Sequence, residues 1–193
     1  MGGEGLYHLV QINALPRDAF VAAFGAVFEH SPWVADAAWE RRPWASRHDL
    51  HAEMCAVVRA ADPERQLALI RAHPDLVGRA ALAGSLTRSS TAEQVAAGLD
   101  PGRLSPLEIA RFAEANAAYQ ERFGFPFVVC ARANTKDAIL LGFSTRLGNT
   151  PEAEVATALS EIEKIAWFRL ADLVAAEPSP ATCPPQGTVG REP

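Results

Sequence analysis

Apolar residues recur along most of this chain at helical spacing. In "LPRDAFVAAFGAVFEH", Phe20, Phe24, Val27 and Phe28 fall on one face behind Pro16, a residue suited to a first helical position. "SPWVADAAWERRPW" reads as a short helix between prolines. "SRHDLHAEMCAVVRAA" opens at the plausible cap Ser46 and carries Leu50, Met54, Val57 and Val58 on one face. "DPERQLALIRAH" has Asp62 as cap and Pro63 as first residue, and stops at Pro74. In "SPLEIARFAEANAAYQERFG", Ser105 with Glu108 three residues on forms a capping box, and Gly124 suits the end. "TPEAEVATALSEIEKIAWFRLADLVAAEP" is capped at Thr150 and stopped by Pro178.

Only "FPFVVCAR", residues 125–132, has strand-like character, and it lacks a partner of similar quality. It reads as an extended buried connection. The pattern predicts an all-α fold: one domain of about seven to nine helices over residues 1–177, with a proline-rich tail or linker over 178–193.

Composition narrows the function. The 193 residues suffice for one domain with a core, and 49% hydrophobic with 21% charged residues fits a globular protein. A formal net charge of -5 argues against nucleic acid as a partner. No apolar run approaches the roughly 20 residues that span a bilayer. The N-terminal "MGGEGLYHLVQIN" lacks the pattern of a secretory signal. Cys55, Cys130 and Cys183 form neither a disulfide framework nor a CxxC pair, so a reducing cytoplasm is the expected location. His48 and His51 are three apart but have no acidic or cysteine partner completing a ligand set, so no metal site is expected.

Four stretches could carry chemistry. In "LALIRAHPDLVGRA", His73 stands where a helix breaks beside apolar surface. A helix C-terminus favours a protonated imidazole, which would suit a general acid. The competing role is simply that of a helix-end residue. In "LTRSSTAEQVAAGLD", Ser90 and Glu93 have capping-box spacing, so the Glu93 carboxylate could serve the backbone or a ligand at the helix N-terminus, with Gln94 adding an amide. In the last helix Val155, Leu159, Ile162, Ala166, Arg169 and Leu173 form a stripe that places an arginine among apolar residues. Either Arg169 is buried and needs a partner, in a ligand or in a structural salt bridge, or the buried stripe runs through Ile165 and Leu170 instead. Finally, the "FGFPFVVCAR" segment is either core or a pocket wall whose backbone groups read a small flat polar molecule.

Taken in order, "INALPRDAFVAAFGAVFEHSPWVADAAWERRPW", "HPDL", "SSTAEQ", "GLD", "NAAYQERFGFPFVVCAR" and "EIEKIAWFRLADL" resemble the 2-oxo-4-hydroxy-4-carboxy-5-ureidoimidazoline (OHCU) decarboxylase family over about residues 10 to 175. The resemblance implies an all-helical, cofactor-free enzyme of urate breakdown that yields (S)-allantoin and commonly forms homodimers. It implies His73 as proton donor, Glu93 as a catalytic carboxylate and Arg169 as a third active residue. Substrate contacts are implied for Pro74, for Ser90, Thr91, Ala92, Glu93 and Gln94, and for Phe127, Val128, Val129, Cys130 and Ala131. The peroxisomal signal of some relatives is not matched by the terminal "GREP". The alternative is a non-enzymatic helical binding or interaction module; a hydrolase using His73 with Asp75 lacks a nucleophile motif.

Overall fold

The apolar positions of the periodic stretches do go inside. Phe20, Phe24, Val27, Phe28, Leu50, Met54, Val57 and Val58 are all buried in the computed structural model, which describes residues 6–176. The expected tail, 178–193, lies outside the described residues. Those residues form ten α-helices and two short 3-10 turns. In chain order they are α1 (Leu9–Ala14), α2 (Arg17–Phe24), α3 (Pro32–Trp39), α4 (Arg47–Ala60), α5 (Pro63–Arg71), α6 (Arg79–Leu82), α7 (Arg88–Ala96), α8 (Pro106–Phe123), α9 (Lys136–Arg146) and α10 (Pro151–Leu173).

The all-α expectation holds, and most helix starts sit where polar caps placed them. Ser46 accepts from Asp49 N, Asp62 from Arg65 N and Thr150 from Ala153 N. Ser105 and Glu108 form the reciprocal capping box, and Gly124 ends α8 in the left-handed region at φ 74°. Each cap satisfies a backbone N–H that has no helical partner. Residues 125–130 run extended and pair with no strand among the described residues.

Three boundaries differ from the sequence reading. The helix expected through His30 stops at Phe24, because Pro32 begins α3 and the chain must turn before it. Val27 and Phe28 stay buried in that turn. The last helix stops at Leu173, not at Pro178, because Tyr7 takes over its end: Tyr7 N–H donates to Leu173 C=O (2.8 Å) and Ala175 N–H to Tyr7 C=O (2.9 Å). The third difference lies in the candidate site. The N-cap of α7 lies three residues before the expected one: it is Thr87, which accepts from Ser90 N at 3.2 Å. Ser90 and Glu93 are therefore not a capping box, and the Glu93 carboxylate is free of the backbone N-terminus.

Helix α10 is the axis of the molecule. It packs against α4 and α5 and touches the 3-10 turn Ala131–Ala133, on which α7 also rests. The end of α5, the face of α7, the extended segment and the C-terminal half of α10 thus meet in one place.

Candidate active site

Helix α5 closes at Ala72, and His73 follows it directly. Its side chain is buried and its Nδ1 lies 3.0 Å from the Leu69 carbonyl. A carbonyl only accepts, so Nδ1 carries the proton and a neutral ring has its lone pair on Nε2. That Nε2 is buried without a hydrogen-bond partner among the described residues. Burial, reinforced by the nearby Arg169 charge and opposed by the Leu69 carbonyl and Glu29, pushes the imidazole down to about 4. Loss of water around the cation thus outweighs the helix dipole, which by itself favours the protonated form.

Arg169 is 5% exposed, so the arginine of the apolar stripe is buried. Ile165 and Leu170 are buried too, since the helix is covered on a wide face that includes both stripes. The guanidinium is met by two carboxylates. Its Nε and Nη2 donate to the two oxygens of Glu93 (2.7 and 2.9 Å), and Nη2 also lies 2.7 Å from Glu29 Oε2. Nη1 points to the carbonyl of Ala26 at 3.3 Å. Glu29 in turn accepts from the hydroxyls of Thr87 and Ser90, each at 3.2 Å. Burial works against ionised Glu29, but Arg169 outweighs it and holds the carboxyl below its ordinary value. One cation between two carboxylates leaves the buried cluster with a net charge of -1 when all are ionised.

His73, Ser90, Glu93 and Arg169 share a pocket, while Glu29 faces a neighbouring hollow that Arg169 also lines. His73, Pro74, Leu76, Ser90, Glu93, Gln94, Phe127, Val128, Val129, Ala131, Ile165 and Arg169 line the shared pocket, around about 370 Å³ of space including the open mouth. Chain segments far apart in sequence thus place an unprotonated imidazole nitrogen, a carboxylate and an extended backbone around one small polar volume.

The sequence compares accordingly. The family model described as OHCU decarboxylase matches residues 13–171. The 2-oxo-4-hydroxy-4-carboxy-5-ureidoimidazoline decarboxylase of Amia calva is 44% identical over 164 residues, covering 85% of this chain and 93% of that protein. The enzyme of the same name from Haloferax volcanii is 43% identical, covering 88% and 97%. The chain belongs to the OHCU decarboxylase family. Among solved structures, a crystal structure of (S)-allantoin synthase superposes with a TM-score of 0.69 at 28% identity, over 87% of this chain. This chain spans about half of that one (54%).

Not every residue expected from the OHCU decarboxylase resemblance reaches the pocket. Thr91 is exposed and donates its hydroxyl to Thr87 C=O at 3.0 Å. Ala92 faces a neighbouring hollow beside Arg88, Arg132 and Asp172. Cys130 is buried behind the wall, and burial raises its thiol pKa. Gln94 lines the pocket, yet its amide is engaged: Oε1 accepts Val77 N–H at 3.0 Å and Nε2 lies 3.4 Å from Asp75 C=O. It thereby clamps the turn after His73, where Val77 takes φ 52°, a costly value for a β-branched residue. Asn116 donates to Leu76 C=O (2.9 Å) and Gln120 to the Asp75 carboxylate (2.6 Å) in the same turn. Asp75 is thus committed to Gln120.

Sequence reasoning missed Glu29, Leu76 and Ile165. Glu29 had a visible signal, a carboxylate directly after the buried Phe28 in a run of core residues. Among the described residues no group of three or more His, Cys, Asp or Glu side chains is arranged to hold a metal ion. No helix of the described residues is long and apolar enough to cross a membrane.

Proposed function

We propose that this chain decarboxylates 2-oxo-4-hydroxy-4-carboxy-5-ureidoimidazoline to (S)-allantoin, without a cofactor. The observation that carries the reading is the buried, unpartnered Nε2 of neutral His73 in a pocket shared with Glu93 and Arg169. A passive binding module has no use for an imidazole lone pair kept from water and from protein donors.

The substrate supplies its own electron sink. When the C4 carboxylate leaves as CO2, the bonding pair forms C4=C5 and the adjacent ring C=N takes up electrons and a proton on nitrogen. The enol then loses its hydroxyl proton and gains one at C5, so one proton is consumed overall. Neutral His73 serves both halves of the second step: Nε2 accepts the enol proton and returns it to C5 from one face. The role of proton donor thus follows from first being a base. Transfer by a positioned group is typically worth about two to four orders of magnitude.

Glu93, held by Arg169, accepts hydrogen bonds from ring or ureido N–H groups. The net negative cluster behind it opposes a carboxylate more than the neutral CO2 that departs. Pro74, Phe127, Val128, Val129 and Ala131 shape the pocket wall, while Gln94 fixes the His73 turn. The proposal includes a homodimer, a cytoplasmic location, residues 1–177 as the catalytic domain and residues 178–193 as a tail or linker; light scattering and truncation at 177 address the first and the last two.

The test is chirality. A free enol is protonated from either face and gives racemate. Freshly generated substrate mixed with the protein should release CO2 faster and give excess (S)-allantoin by circular dichroism. Racemic product at the uncatalysed rate would remove the proposal.

A further inference from the structure

The extended segment is held by charged side chains on the side away from its unsatisfied backbone groups. Arg146 Nη1 donates to the Val128 carbonyl at 2.7 Å, and its guanidinium sits 4.3 Å from the Phe127 ring. The same arginine is paired with Glu154, which is fully buried and also takes the Tyr119 hydroxyl and, at 2.7 Å, the Asn149 amide. Two residues along the segment, Cys130 N–H donates to Glu161 Oε2 at 2.8 Å. Glu154 and Glu161 are seven residues apart on α10, two turns along one helix face.

The consequence falls on Val129. In a trans peptide the C=O and N–H point in opposite directions. The Val128–Val129 unit has its C=O on Arg146, so the Val129 N–H is directed away from that clamp. The Val129–Cys130 unit has its N–H on Glu161, so the Val129 C=O is directed away from the second. Neither Val129 group has a hydrogen-bond partner among the described residues. Val128 and Val129 line the pocket beside His73 and Glu93.

We infer that Arg146 and Glu161 are positioning residues that set the Val129 N–H and C=O as a paired donor and acceptor for a ligand edge carrying an N–H beside a C=O, as in a lactam, cyclic urea or ureido group. The inference rests on the proposed function for its ligand class. A buried arginine–glutamate pair is often no more stabilising than apolar residues of the same volume. Here the pair fixes the orientation of a pocket-lining peptide, a task apolar side chains cannot perform. Two opposite charges hold two successive peptide units, so neither can rotate to satisfy itself elsewhere. The device selects heterocycles by the order of donor and acceptor along one edge.

The experiment uses the full chain, calorimetry, and allantoin methylated singly at each ring or ureido nitrogen. Glu161 is the residue to vary, because removing Arg146 would strand the buried Glu154. In the wild type, methylation at one nitrogen should weaken binding about tenfold relative to allantoin, the cost of one good hydrogen bond. In Glu161→Leu that ratio should shrink to about twofold, since the peptide is no longer held; Glu161→Gln keeps an acceptor and should restore it. A merely structural Glu161 would weaken all ligands alike and leave the ratio intact, which overturns the inference. So does equal binding of every analogue by the wild type, a result that needs no variant to fold. Formation of (S)-allantoin by the wild type is read separately, so either outcome leaves the proposed reaction to its own test.

Discussion

Arg169 forks onto Glu93 through two hydrogen bonds, Nε to Oε1 at 2.7 Å and Nη2 to Oε2 at 2.9 Å. Both oxygens are thereby fixed in plane, and their remaining lone pairs have a set direction. Glu93→Gln keeps the shape and one acceptor but loses the charge. Since Thr87 rather than Ser90 caps α7, Glu93 owes nothing to the helix start. The fold should lose at most about 2 kcal/mol, because Glu29 still neutralises the arginine. Turnover should fall at least about tenfold, or about 1.4 kcal/mol of transition-state stabilisation. Lost stability with turnover intact in the folded fraction would return Glu93 to a structural role.

Thr87 joins the helix cap to the charge cluster. Its hydroxyl oxygen accepts from Ser90 N–H and the hydroxyl also reaches Glu29 at 3.2 Å. Thr87→Val, which keeps the volume, should cost about 1 kcal/mol in denaturant unfolding, in the range of a lost N-cap. Thr87→Ser should recover most of it. A Val variant as stable as the wild type would show that the cap bond contributes nothing.

Much of this was legible in the sequence because caps and periodicity are local. Ser46, Asp62, Ser105 and Thr150 each marked a helix start, and Pro63 and Gly124 punctuated their helices as expected. The ordered motifs named His73, Glu93 and Arg169, which share one pocket. What could not be read was long-range. The cap of α7 moved to Thr87, where the hydroxyls of Thr87 and Ser90 also serve Glu29, a residue some 60 positions earlier in the chain. The end of α10 moved because Tyr7 pairs with it from the opposite end of the sequence. His73 followed its burial rather than its helix end, and burial is a property of the whole fold.

Glu29 meets Arg169 at Nη2, the nitrogen that also donates to Glu93. Glu29→Gln leaves one carboxylate on the guanidinium and keeps an acceptor for only one of the two hydroxyls, since Thr87 and Ser90 donate to different oxygens. Removing one charge from a buried network should destabilise the fold by about 2 kcal/mol, less than for an isolated pair because Glu93 remains. Turnover should fall as well, since Arg169 is then free to tilt and carry Glu93 with it. Unfolding curves and kcat measured on the same preparation check both. Full turnover in Glu29→Gln would confine Arg169 to its contact with Glu93.

His73 makes a prediction about pH. Its folded-state value is pushed from 6.5 down to about 4, first by burial. Between those values the unfolded chain binds a proton that the folded protein does not, so stability rises with pH across the window and falls on acidification. The full effect, for a group this buried, is up to about 3 kcal/mol between pH 6.5 and 4. Glu29, held low by Arg169 against its burial, loses its stabilisation as pH falls below the ordinary value of 4.5, so the histidine slope is read between 4.5 and 6.5. His73→Asn should flatten the stability curve between pH 4.5 and 6.5 while abolishing most turnover. In the wild type the acid limb of kcat/KM, which reports the free enzyme, should lie near 4 rather than 6.5, because the active form is the neutral imidazole. An acid limb at the ordinary histidine value, with a stability slope unchanged by His73→Asn, would mean that the imidazole is solvated and that the protonated form was available from the start.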